Sequence, residues 1–324
     1  LNHIEVYNPS IGKIYATCPN SDSKTLDSAI KSSKKAFPAW SKLSYSERAK
    51  FLFKISNLLE KNIDKFSKYE SMDNGKPLTL SRNLDVPRAI ENLRFFGSII
   101  SNNKSDAFYM ENIGINYTIK QPLGIVGTIS PWNLPLYLFT WKIAPALVTG
   151  NCVIAKPSEI TPMTAYLFSK LCIEAELPKG VLNILHGMGS KIGLNIVKHD
   201  EIKAISFTGG TETGKIISAE CSKSFKKLNL EMGGKNPVLI FDDCDYSKMI
   251  NNIIKSSFLN QGQICLAGSR LYVHKNIYKK FKNDFVKAVK KIKTGDPFNK
   301  LSDQGAIVSK EHQNKIDSYI NIAI

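Results

Sequence analysis

From residue 117 onward, short apolar runs alternate with helical patterns, and this alternation constrains the fold more than any other feature of the sequence. The runs are rich in β-branched residues, which favours strands, and most of the segments between them have the length and periodicity of helices. Strands joined by helices predict a parallel, doubly wound α/β sheet, because parallel neighbours need a long crossover. The predicted strands are YTIKQ (117–121), GIVGTI (124–129), CVIAK (152–156), VLNIL (181–185), AISFTG (204–209) and LNLEM (228–232).

One of the crossover helices is predicted at 162–176, where Thr161 and Pro162 have the residue types of a helix cap and a first turn. In a doubly wound sheet, ligands bind beyond the carboxyl ends of the strands. The loops that follow the strands are therefore where we look for chemistry.

The first third of the chain is predicted to be helical. The segment 44–69 opens with Ser44 and has Glu47 three residues later, which is a capping-box pattern, and it continues with an apolar stripe of helical spacing. We predict one amphipathic helix over this segment. A second helix is predicted to begin near Asp85, with Pro87 in its first turn.

A second α/β unit is predicted after Gly234. We therefore divide the chain into two domains, residues 1–234 and residues 235–324. The elements predicted in the second unit are strand 237–241, helix 246–258, strand 270–274 and helices 276–293 and 309–323.

Composition excludes several classes of protein. The net charge of +16 comes from lysines spread along the chain, with only five arginines among the 44 basic residues, and no known nucleic-acid-binding motif accompanies it, so we expect no nucleic-acid partner. The apolar segment 136–155 is interrupted by Lys142, Pro145 and Gly150, which predicts core elements and no membrane span. The first ten residues lack a signal-peptide pattern, so we expect a cytoplasmic protein.

The six cysteines show neither paired spacing nor zinc-ligand spacing, so we expect neither disulfides nor a metal site. Standard enzyme signatures are also missing. The segment GMGSKIG (187–193) follows a predicted strand but is only a near match to the dinucleotide fingerprint. Five unusual loops at strand ends remain: SPWNLP (130–135), KPSE (156–159), FTGGTETGK (207–215), LEMGGKNP (230–237) and NQGQICLAGSR (260–270).

In this order and spacing, the five loops resemble those of the aldehyde dehydrogenase superfamily, over nearly the whole chain. The segments DVPRAIENLRFFGS, SPWNLPLYLFTWKIAPAL and SSFLNQGQICLAGSR are most similar to the branch that oxidises muconic semialdehydes. Betaine or broad-specificity small aldehyde dehydrogenases are the alternative. The resemblance implies a Rossmann-like cofactor domain with an α/β catalytic domain, NAD as cofactor, and a homo-oligomer assembled through a projecting hairpin at about 107–121.

The resemblance also implies three catalytic roles. Cys265 adds to the aldehyde carbonyl, Asn133 and the Cys265 backbone N–H stabilise the oxyanion, and Glu231 activates the water that hydrolyses the thioester. On the residues alone, an inert buried thiol is the more common role for a cysteine such as Cys265, and a turn residue is the more common role for Asn133. For Glu231, a carboxylate at the end of an apolar strand is expected to be buried at a cost in stability, which favours a functional role.

The loop KPSE is implied to hold the adenosine ribose of the cofactor through Lys156 and Glu159. The Glu159 carboxylate is expected to repel a 2′-phosphate, which favours NAD over NADP. Capping of the next helix by Ser158 and Glu159 is the structural alternative. Gly210 replaces a serine that many members carry, so we expect slightly weaker cofactor binding. The cofactor-binding residues implied are Trp132, Lys156, Ser158, Glu159, Gly189, Phe207, Thr208, Gly209, Gly210 and Gly233.

Arg88 is implied to pair with the carboxylate of a muconic-type substrate, a task that suits the planar guanidinium. An exposed arginine on the helix surface is the alternative interpretation.

Members of the superfamily continue well beyond the position that matches Ile324, and an EIFGP-type segment that holds the nicotinamide end of the cofactor has no counterpart in these 324 residues. We therefore expect a C-terminally truncated chain. A non-catalytic NAD-binding fragment is accordingly the alternative from another functional class.

Overall fold

The computed structural model describes residues 3–324. In chain order, the strands and helices are β1 (His3–Asn8), β2 (Lys13–Pro19), α1 (Ser23–Lys42), α2 (Tyr45–Lys61), α3 (Ile63–Asn74), α4 (Leu78–Leu80), α5 (Val86–Ile99), β3 (Ala107–Met110), β4 (Gly114–Tyr117), β5 (Ile125–Ile129), α6 (Pro135–Val148), β6 (Cys152–Lys156), α7 (Met163–Glu174), β7 (Leu182–Ile184), α8 (Leu194–Lys198), β8 (Ile202–Gly209), α9 (Thr211–Ser222), β9 (Lys227–Met232), β10 (Asn236–Ile240), α10 (Tyr246–Phe258), β11 (Gly268–Val273), α11 (Tyr278–Val289) and α12 (Lys310–Ala323).

A five-stranded parallel sheet, in the order β7-β6-β5-β8-β9, forms the centre of the fold. Every residue of β5 and β6 is buried, as expected for central parallel strands covered by helices on both faces. The predicted doubly wound sheet is confirmed. Because β6 and β8 lie on opposite sides of β5, the connections diverge there, which creates a topological switch point at the carboxyl ends of β5 and β8.

Strand predictions hold for the sheet but not for the segment before it. The predicted strand at 117–121 is wrong, because β4 ends at Tyr117. The hairpin of β3 and β4 is antiparallel and spans Ala107–Tyr117, so the projecting hairpin is shorter than the predicted 107–121. The N-terminal hairpin of β1 and β2 was not predicted.

The helix predicted over 44–69 is two helices, α2 and α3, interrupted at Asn62. The Asn62 side chain donates to the Leu58 carbonyl at 2.8 Å, which offers the backbone an alternative to helix continuation. The capping box of Ser44 and Glu47 at the start of α2 is confirmed.

The helix predicted to begin near Asp85 begins earlier. Helical turns run from Leu78 through a π-helical turn at Ser81–Asp85 into α5, and Pro87 lies in the first turn of α5 as predicted.

The start of α7 corrects a capping prediction. The helix begins at Met163, and no side chain of Thr161 or Pro162 caps it. Instead, Asp73 at the end of α3 accepts the Met163 N–H at 2.8 Å through its Oδ2. The cap is supplied by a residue far away in sequence, so local residue types could not reveal it.

After Gly234, β10 and β11 form a parallel pair, accompanied by α10, α11 and α12. The predicted elements of this part are present, with ends shifted by a few residues. Its buried core consists of Ile240, Ile253 and Phe281. The predicted domain boundary between residues 234 and 235 stays a prediction. Of the helices in residues 3–324, none combines the length and the apolar character needed to cross a membrane.

Candidate active site

A cleft of about 540 Å³ lies at the carboxyl ends of β5, β6 and β8, at the switch point of the sheet. Nine of the ten residues predicted to contact the cofactor line this cleft, whereas Gly233 does not. The nine are Trp132, Lys156, Ser158, Glu159, Gly189, Phe207, Thr208, Gly209 and Gly210.

An ion pair between the buried Lys156 and the partly buried Glu159 forms one wall of the cleft. Nζ of Lys156 lies 2.7 Å from Oε2 of Glu159 and also donates to the Pro157 carbonyl at 2.9 Å. The other carboxylate oxygen of Glu159, Oε1, accepts the Gly189 N–H at 2.9 Å. Although burial raises it, the Lys156 ammonium and the hydrogen bonds hold the pKa of Glu159 below its usual value. The carboxylate is therefore ionised inside the cleft.

The alternative that Ser158 and Glu159 cap the next helix is wrong, because α7 begins only at Met163. Ser158 Oγ instead accepts the Ile160 N–H at 3.2 Å, within the loop.

Glycines form the wall where β8 meets α9. A Cβ on Gly209 would lie 2.4 Å from the Phe207 ring, so only glycine fits there. Gly210 is the N-cap of α9, and a Cβ there would meet nothing within 4 Å. The absence of serine at Gly210 is therefore not imposed by packing. The start of the twelve-residue helix α9 borders the cleft, where its free N–H groups favour an anion.

The loop between β5 and α6 joins the cleft to the cysteine loop. Trp132 lines the cleft, and the neighbouring Asn133 donates from Nδ2 to the Gln263 carbonyl at 2.8 Å. Asn133 Oδ1 is buried and has no hydrogen-bond partner within residues 3–324. An amide nitrogen carries two hydrogens, so one of them is left for a ligand.

Three consecutive left-handed residues precede Cys265. Asn260, Gln261 and Gly262 have φ angles of 55°, 58° and 73°, which turn the chain sharply before the cysteine. The Cys265 carbonyl accepts from Nδ2 of Asn236 at 2.6 Å. Cys265, which is partly exposed, follows this turn two residues after Gln263, whose carbonyl accepts from the Asn133 amide.

The six cysteines are free thiols and differ in accessibility. Cys265 and Cys244 are partly exposed, whereas the others are buried. Burial raises the pKa of Cys152 and of Cys172 to about 12, which disfavours the thiolate. Accessibility therefore separates Cys265 from the inert thiols of the core.

The expected burial of Glu231 is wrong, because its side chain is exposed on β9, the edge strand of the sheet. The cost in stability that favoured a functional role therefore does not apply here. Lys142 is buried and donates to Ser206 Oγ at 3.1 Å. Burial lowers the pKa of Lys142 to about 8, and the charge of Glu231 opposes this shift.

Arg88 lies on α5, half exposed, and faces the first turn of α6. Its guanidinium lies 5.4 Å from the centroid of the Tyr137 ring and donates to the Tyr137 hydroxyl at 3.4 Å. It also pairs with Glu91 one turn along α5 at 3.2 Å. Tyr137 is four residues after Asn133, so Arg88 lies on the side of α6 that leads to the Asn133 loop.

Sequence reasoning missed two groups near the site. The imidazole of His312, in α12, packs edge to face on Trp132 with ring centroids 4.7 Å apart. Asn74, the last residue of α3, and Lys76, just after that helix, hydrogen-bond the backbone of the Asn133 loop. No local pattern marks these residues, because only the fold brings them to the loop. Within residues 3–324, no cluster of three or more His, Cys, Asp or Glu side chains is arranged to hold a metal ion.

The doubly wound sheet, with an ionised carboxylate and a helix N-terminus in the cleft at its switch point, defines an α/β protein of the class whose ligands bind at that edge of the sheet. The sequence profile of the aldehyde dehydrogenase family matches residues 1–324, and the chain belongs to this family. The resemblance found in the five loops is thereby confirmed.

The relatives include muconic semialdehyde dehydrogenases. The 2-aminomuconic semialdehyde dehydrogenase of Homo sapiens is 45% identical over 324 residues, which are 100% of this chain and 66% of the relative. The 2-hydroxymuconic semialdehyde dehydrogenase of Pseudomonas sp. (strain CF600) is 36% identical over 99% of this chain and 67% of the relative. The chain thus spans about two thirds of the length of these relatives.

Solved structures share the fold. The NAD+ complex of an aldehyde dehydrogenase from Bacillus cereus superposes with a TM-score of 0.96 at 34% identity, covering 99% of this chain and 66% of that one. A putative aldehyde dehydrogenase from Burkholderia cenocepacia gives a TM-score of 0.97 at 36% identity, with the same coverage. The aldehyde dehydrogenase fold is therefore established for this chain.

Proposed function

We propose that the protein oxidises an aldehyde to a carboxylic acid with NAD as cofactor and Cys265 as nucleophile. The observation that carries this proposal is the 2.8 Å hydrogen bond from the Asn133 amide to the Gln263 carbonyl, which joins the end of the cleft to the cysteine loop. A partly exposed thiol two residues after the carbonyl that accepts from the Asn133 amide suits addition to a carbonyl, since the amide can stabilise the oxygen that becomes negative. Family membership supports the same chemistry.

In the proposed reaction, the Cys265 thiolate forms a bond to the aldehyde carbon and gives a thiohemiacetal. The Asn133 amide holds the oxygen with the hydrogen that Gln263 does not use. NAD, which Glu159 and the N-terminus of α9 would hold in the cleft, would supply the hydride acceptor that converts the thiohemiacetal to a thioester. Glu231 then takes a proton from a water that attacks the thioester, and the acid leaves as the thiolate is restored. The exposed side chain of Glu231 is compatible with access to water.

The residues of the cleft fit a dinucleotide. The ionised Glu159 carboxylate can accept hydrogen bonds from ribose hydroxyls, and the N-terminus of α9 offers free N–H groups to a pyrophosphate. The open space beside Gly210 lets the backbone approach a phosphate closely. The proposed preference for NAD over NADP rests on repulsion of the 2′-phosphate by the Glu159 carboxylate. Glu159→Gln should therefore lower the ratio of the dissociation constant of NADP to that of NAD.

The test of the chemistry is formation of NADH, followed by absorbance, with the complete gene product that contains these 324 residues. Cys265→Ser should lower kcat at least about a thousandfold, because the nucleophile is lost. Cys244→Ser is the matched control, since Cys244 is also a partly exposed thiol but lies away from the Asn133 loop. NADH formation that persists undiminished in Cys265→Ser would contradict the mechanism.

For the substrate, we propose a semialdehyde that carries a carboxylate, of the muconic type, with Arg88 as its partner. The guanidinium is half exposed and is held over Tyr137, on the helix that follows the Asn133 loop. The positive charge disfavours the alternative substrate betaine aldehyde, whose quaternary ammonium it would repel. The 2-aminomuconic and 2-hydroxymuconic semialdehyde dehydrogenases among the relatives support this choice.

Arg88→Ala tests the substrate assignment through the ratio of kcat/KM for 2-hydroxymuconic semialdehyde to that for benzaldehyde. Loss of a charged hydrogen-bond pair should lower this ratio about 10- to 100-fold. Arg94→Ala is the matched control, because Arg94 lies on the same helix but pairs with Glu60. An unchanged ratio in Arg88→Ala would rule out the carboxylate contact.

We also propose that the hairpin of β3 and β4 takes part in a homo-oligomer. Phe108, Tyr109 and Ile115 are 57%, 71% and 70% exposed on this hairpin, which is more apolar surface than a free hairpin normally presents. Sedimentation of Tyr109→Lys beside the unaltered protein checks this, with a smaller species as the expected result.

A further inference from the structure

The carbonyl oxygen of Asn133 is the meeting point of a buried polar cluster that lies outside the cleft. It accepts hydrogen bonds from Nζ of Lys76 and from Nδ2 of Asn260, both at 3.0 Å. Nδ2 of Asn74 donates to the Trp132 carbonyl at 3.0 Å and reaches the Asn133 carbonyl at 3.4 Å. The backbone of the loop is therefore held by side chains from two separate parts of the chain.

Lys76 is itself held by Asp85 in a hydrogen-bonded ion pair, and both side chains are fully buried. Burial of such a pair has a desolvation cost that a packed apolar pair of similar volume would not have. Stability of the fold therefore does not account for the pair. Its remaining contact, from the Lys76 ammonium to the Asn133 carbonyl, lies at the proposed site of chemistry.

We infer that Lys76 is a positioning residue, which is fixed by Asp85 and holds the Asn133 loop so that the Asn133 amide meets the cysteine turn. This inference rests on the proposed function, because it assigns the purpose of the contact to the amide that would stabilise the oxyanion. It also names a residue outside the set that the five loops contain.

Both sides of the cysteine turn are tied to the same residue. Asn260, at the start of the turn, donates to the Asn133 carbonyl, and the Gln263 carbonyl, near its end, accepts from the Asn133 amide. Asn260 and Gln261 have left-handed backbone angles, which residues other than glycine seldom adopt without outside support. The Asn133 loop supplies that support, and Lys76 fixes the loop.

The test replaces the ion pair by apolar residues of similar size, Lys76→Met with Asp85→Leu. The double variant removes both charges of the pair, whose effects on the pKa of the buried Glu70 oppose each other, so the melting temperature should stay the same or rise. With the donor to Asn133 lost, kcat for 2-hydroxymuconic semialdehyde should fall at least tenfold, while KM for NAD stays within twofold. A double variant that keeps kcat within twofold of the unaltered protein would overturn the inference.

The matched control is Ser71→Ala with Ser81→Ala. The two hydroxyls form a buried hydrogen bond of 2.8 Å between α3 and the π-helical turn, close in the chain to Lys76, which follows α3, and to Asp85, which ends that turn. They do not contact the Asn133 carbonyl among the described hydrogen bonds. Loss of this hydrogen bond should leave kcat and KM within twofold of the unaltered protein. A tenfold fall in kcat in this control would mean that any disturbance between α3 and the π-helical turn lowers kcat, and it would overturn the role of Lys76.

A second route to the same carbonyl is Asn260→Gly. Glycine keeps the left-handed angle of 55° without strain, so this variant removes the amide donor and preserves the turn. We expect the same kinetic pattern as for the double variant, a lower kcat with KM for NAD unchanged. A rise in KM for NAD without a fall in kcat would contradict a common role.

A readout without turnover separates this inference from the proposed function. Alkylation by iodoacetamide, mapped by mass spectrometry, gives the rate at Cys265 with Cys244 as the internal reference. The double variant should change the Cys265 rate at least threefold and leave Cys244 unchanged. If the unaltered protein forms no NADH, the proposed function fails, and the alkylation rate of Cys265 alone decides the inference. A different rate in the double variant supports positioning of the turn by Lys76. Equal rates in the double variant and the unaltered protein overturn it.

Discussion

The region around the cleft and the region that carries Cys265 differ in how they are held together. Strands β5 and β6 are buried along their whole length, inside a continuous hydrophobic core. In the second region the buried core is Ile240, Ile253 and Phe281. Large apolar side chains on its strands are exposed, among them Leu239 on β10 at 64% and Tyr272 on β11 at 52%. The first region can keep its shape by burial, whereas the cysteine loop depends on hydrogen bonds to the first region.

The two regions also differ in their carboxylates. Burial raises the pKa of Glu70 to about 7 and that of Asp73 to about 8, both on α3. In the second region Asp245 is exposed and Asp284 partly exposed, and hydrogen bonds lower their pKa, from Ser247 to Asp245 and from Lys280 to Asp284. Changes of pH should therefore act with opposite sign through these two pairs of carboxyl groups.

The largest expected effect comes from a cavity in the first core. Phe168 is fully buried and packs edge to face on Phe139, with ring centroids 5.7 Å apart. Phe168→Ala should lower the free energy of unfolding by about 3–5 kcal/mol, through lost burial and an unfilled cavity. Urea denaturation followed by far-UV circular dichroism measures this change.

Phe281→Ala is the corresponding change in the second region. Phe281 stacks on Phe285 at 5.4 Å in a core of three buried residues. We expect it to loosen only the second region, so that NAD affinity, measured by calorimetry, stays within twofold of the unaltered protein. If NAD affinity in Phe281→Ala falls as far as in Phe168→Ala, the two regions do not have independent stability, although their hydrophobic cores are separate.

What the sequence predicted well was local. The strands of the sheet were found because a buried parallel strand is a continuous apolar run between turns, and that pattern lies within the strand itself. The loops at strand ends followed from the topology, so nine of the ten predicted cofactor residues line one cleft. Gly233 lies outside the cleft because it follows β9, the edge strand, at the margin of the sheet, and its cofactor role stays a prediction.

What the sequence could not predict depended on partners far away in the chain. Burial of Glu231 was expected from the apolar residues before it, yet its exposure is decided by the position of β9 at the edge of the sheet. The cap of α7 comes from Asp73 and not from Thr161. Lys76 reaches the Asn133 carbonyl only through the packing of α3 beneath the loop. In each case the fold supplied the neighbour.

The next effect in size is the pH dependence of stability in the first region. Asp73 is fully buried, and burial raises its pKa to about 8, against about 3.9 in an unfolded chain. Between these values the folded protein keeps a proton that the unfolded chain has lost. The free energy of unfolding should therefore fall as pH rises from about 4 to about 8, by about 1 kcal/mol per pH unit, and level off above.

Asp73→Asn checks the sign, because the amide is neutral at every pH and can replace the protonated carboxyl between Tyr15 and the Met163 N–H. Its unfolding free energy, from urea titrations at pH 5 and pH 8, should vary less than that of the unaltered protein. Asp284→Asn is the control, since the pKa of Asp284 is lowered and its contribution is lost only at acidic pH. Equal slopes for Asp73→Asn and the unaltered protein would contradict a proton held by Asp73.

The smallest expected effect is at Gly210, within the cleft of the first region. Serine fits there, since a Cβ meets nothing within 4 Å, and it is favoured at the N-cap that Gly210 occupies at the start of α9. Its hydroxyl would add one donor to the cofactor pyrophosphate, so Gly210→Ser should lower the dissociation constant of NAD about two- to fivefold, as one net hydrogen bond would. Gly233→Ser is the matched control, because Gly233 is equally open but lies outside the cleft, so its NAD affinity should not change. Calorimetry measures the NAD affinity of both variants. Equal gains in affinity in Gly210→Ser and Gly233→Ser would mean that the gain is unrelated to the cleft. A gain in Gly210→Ser alone would assign phosphate binding to the first region, independently of the cysteine loop.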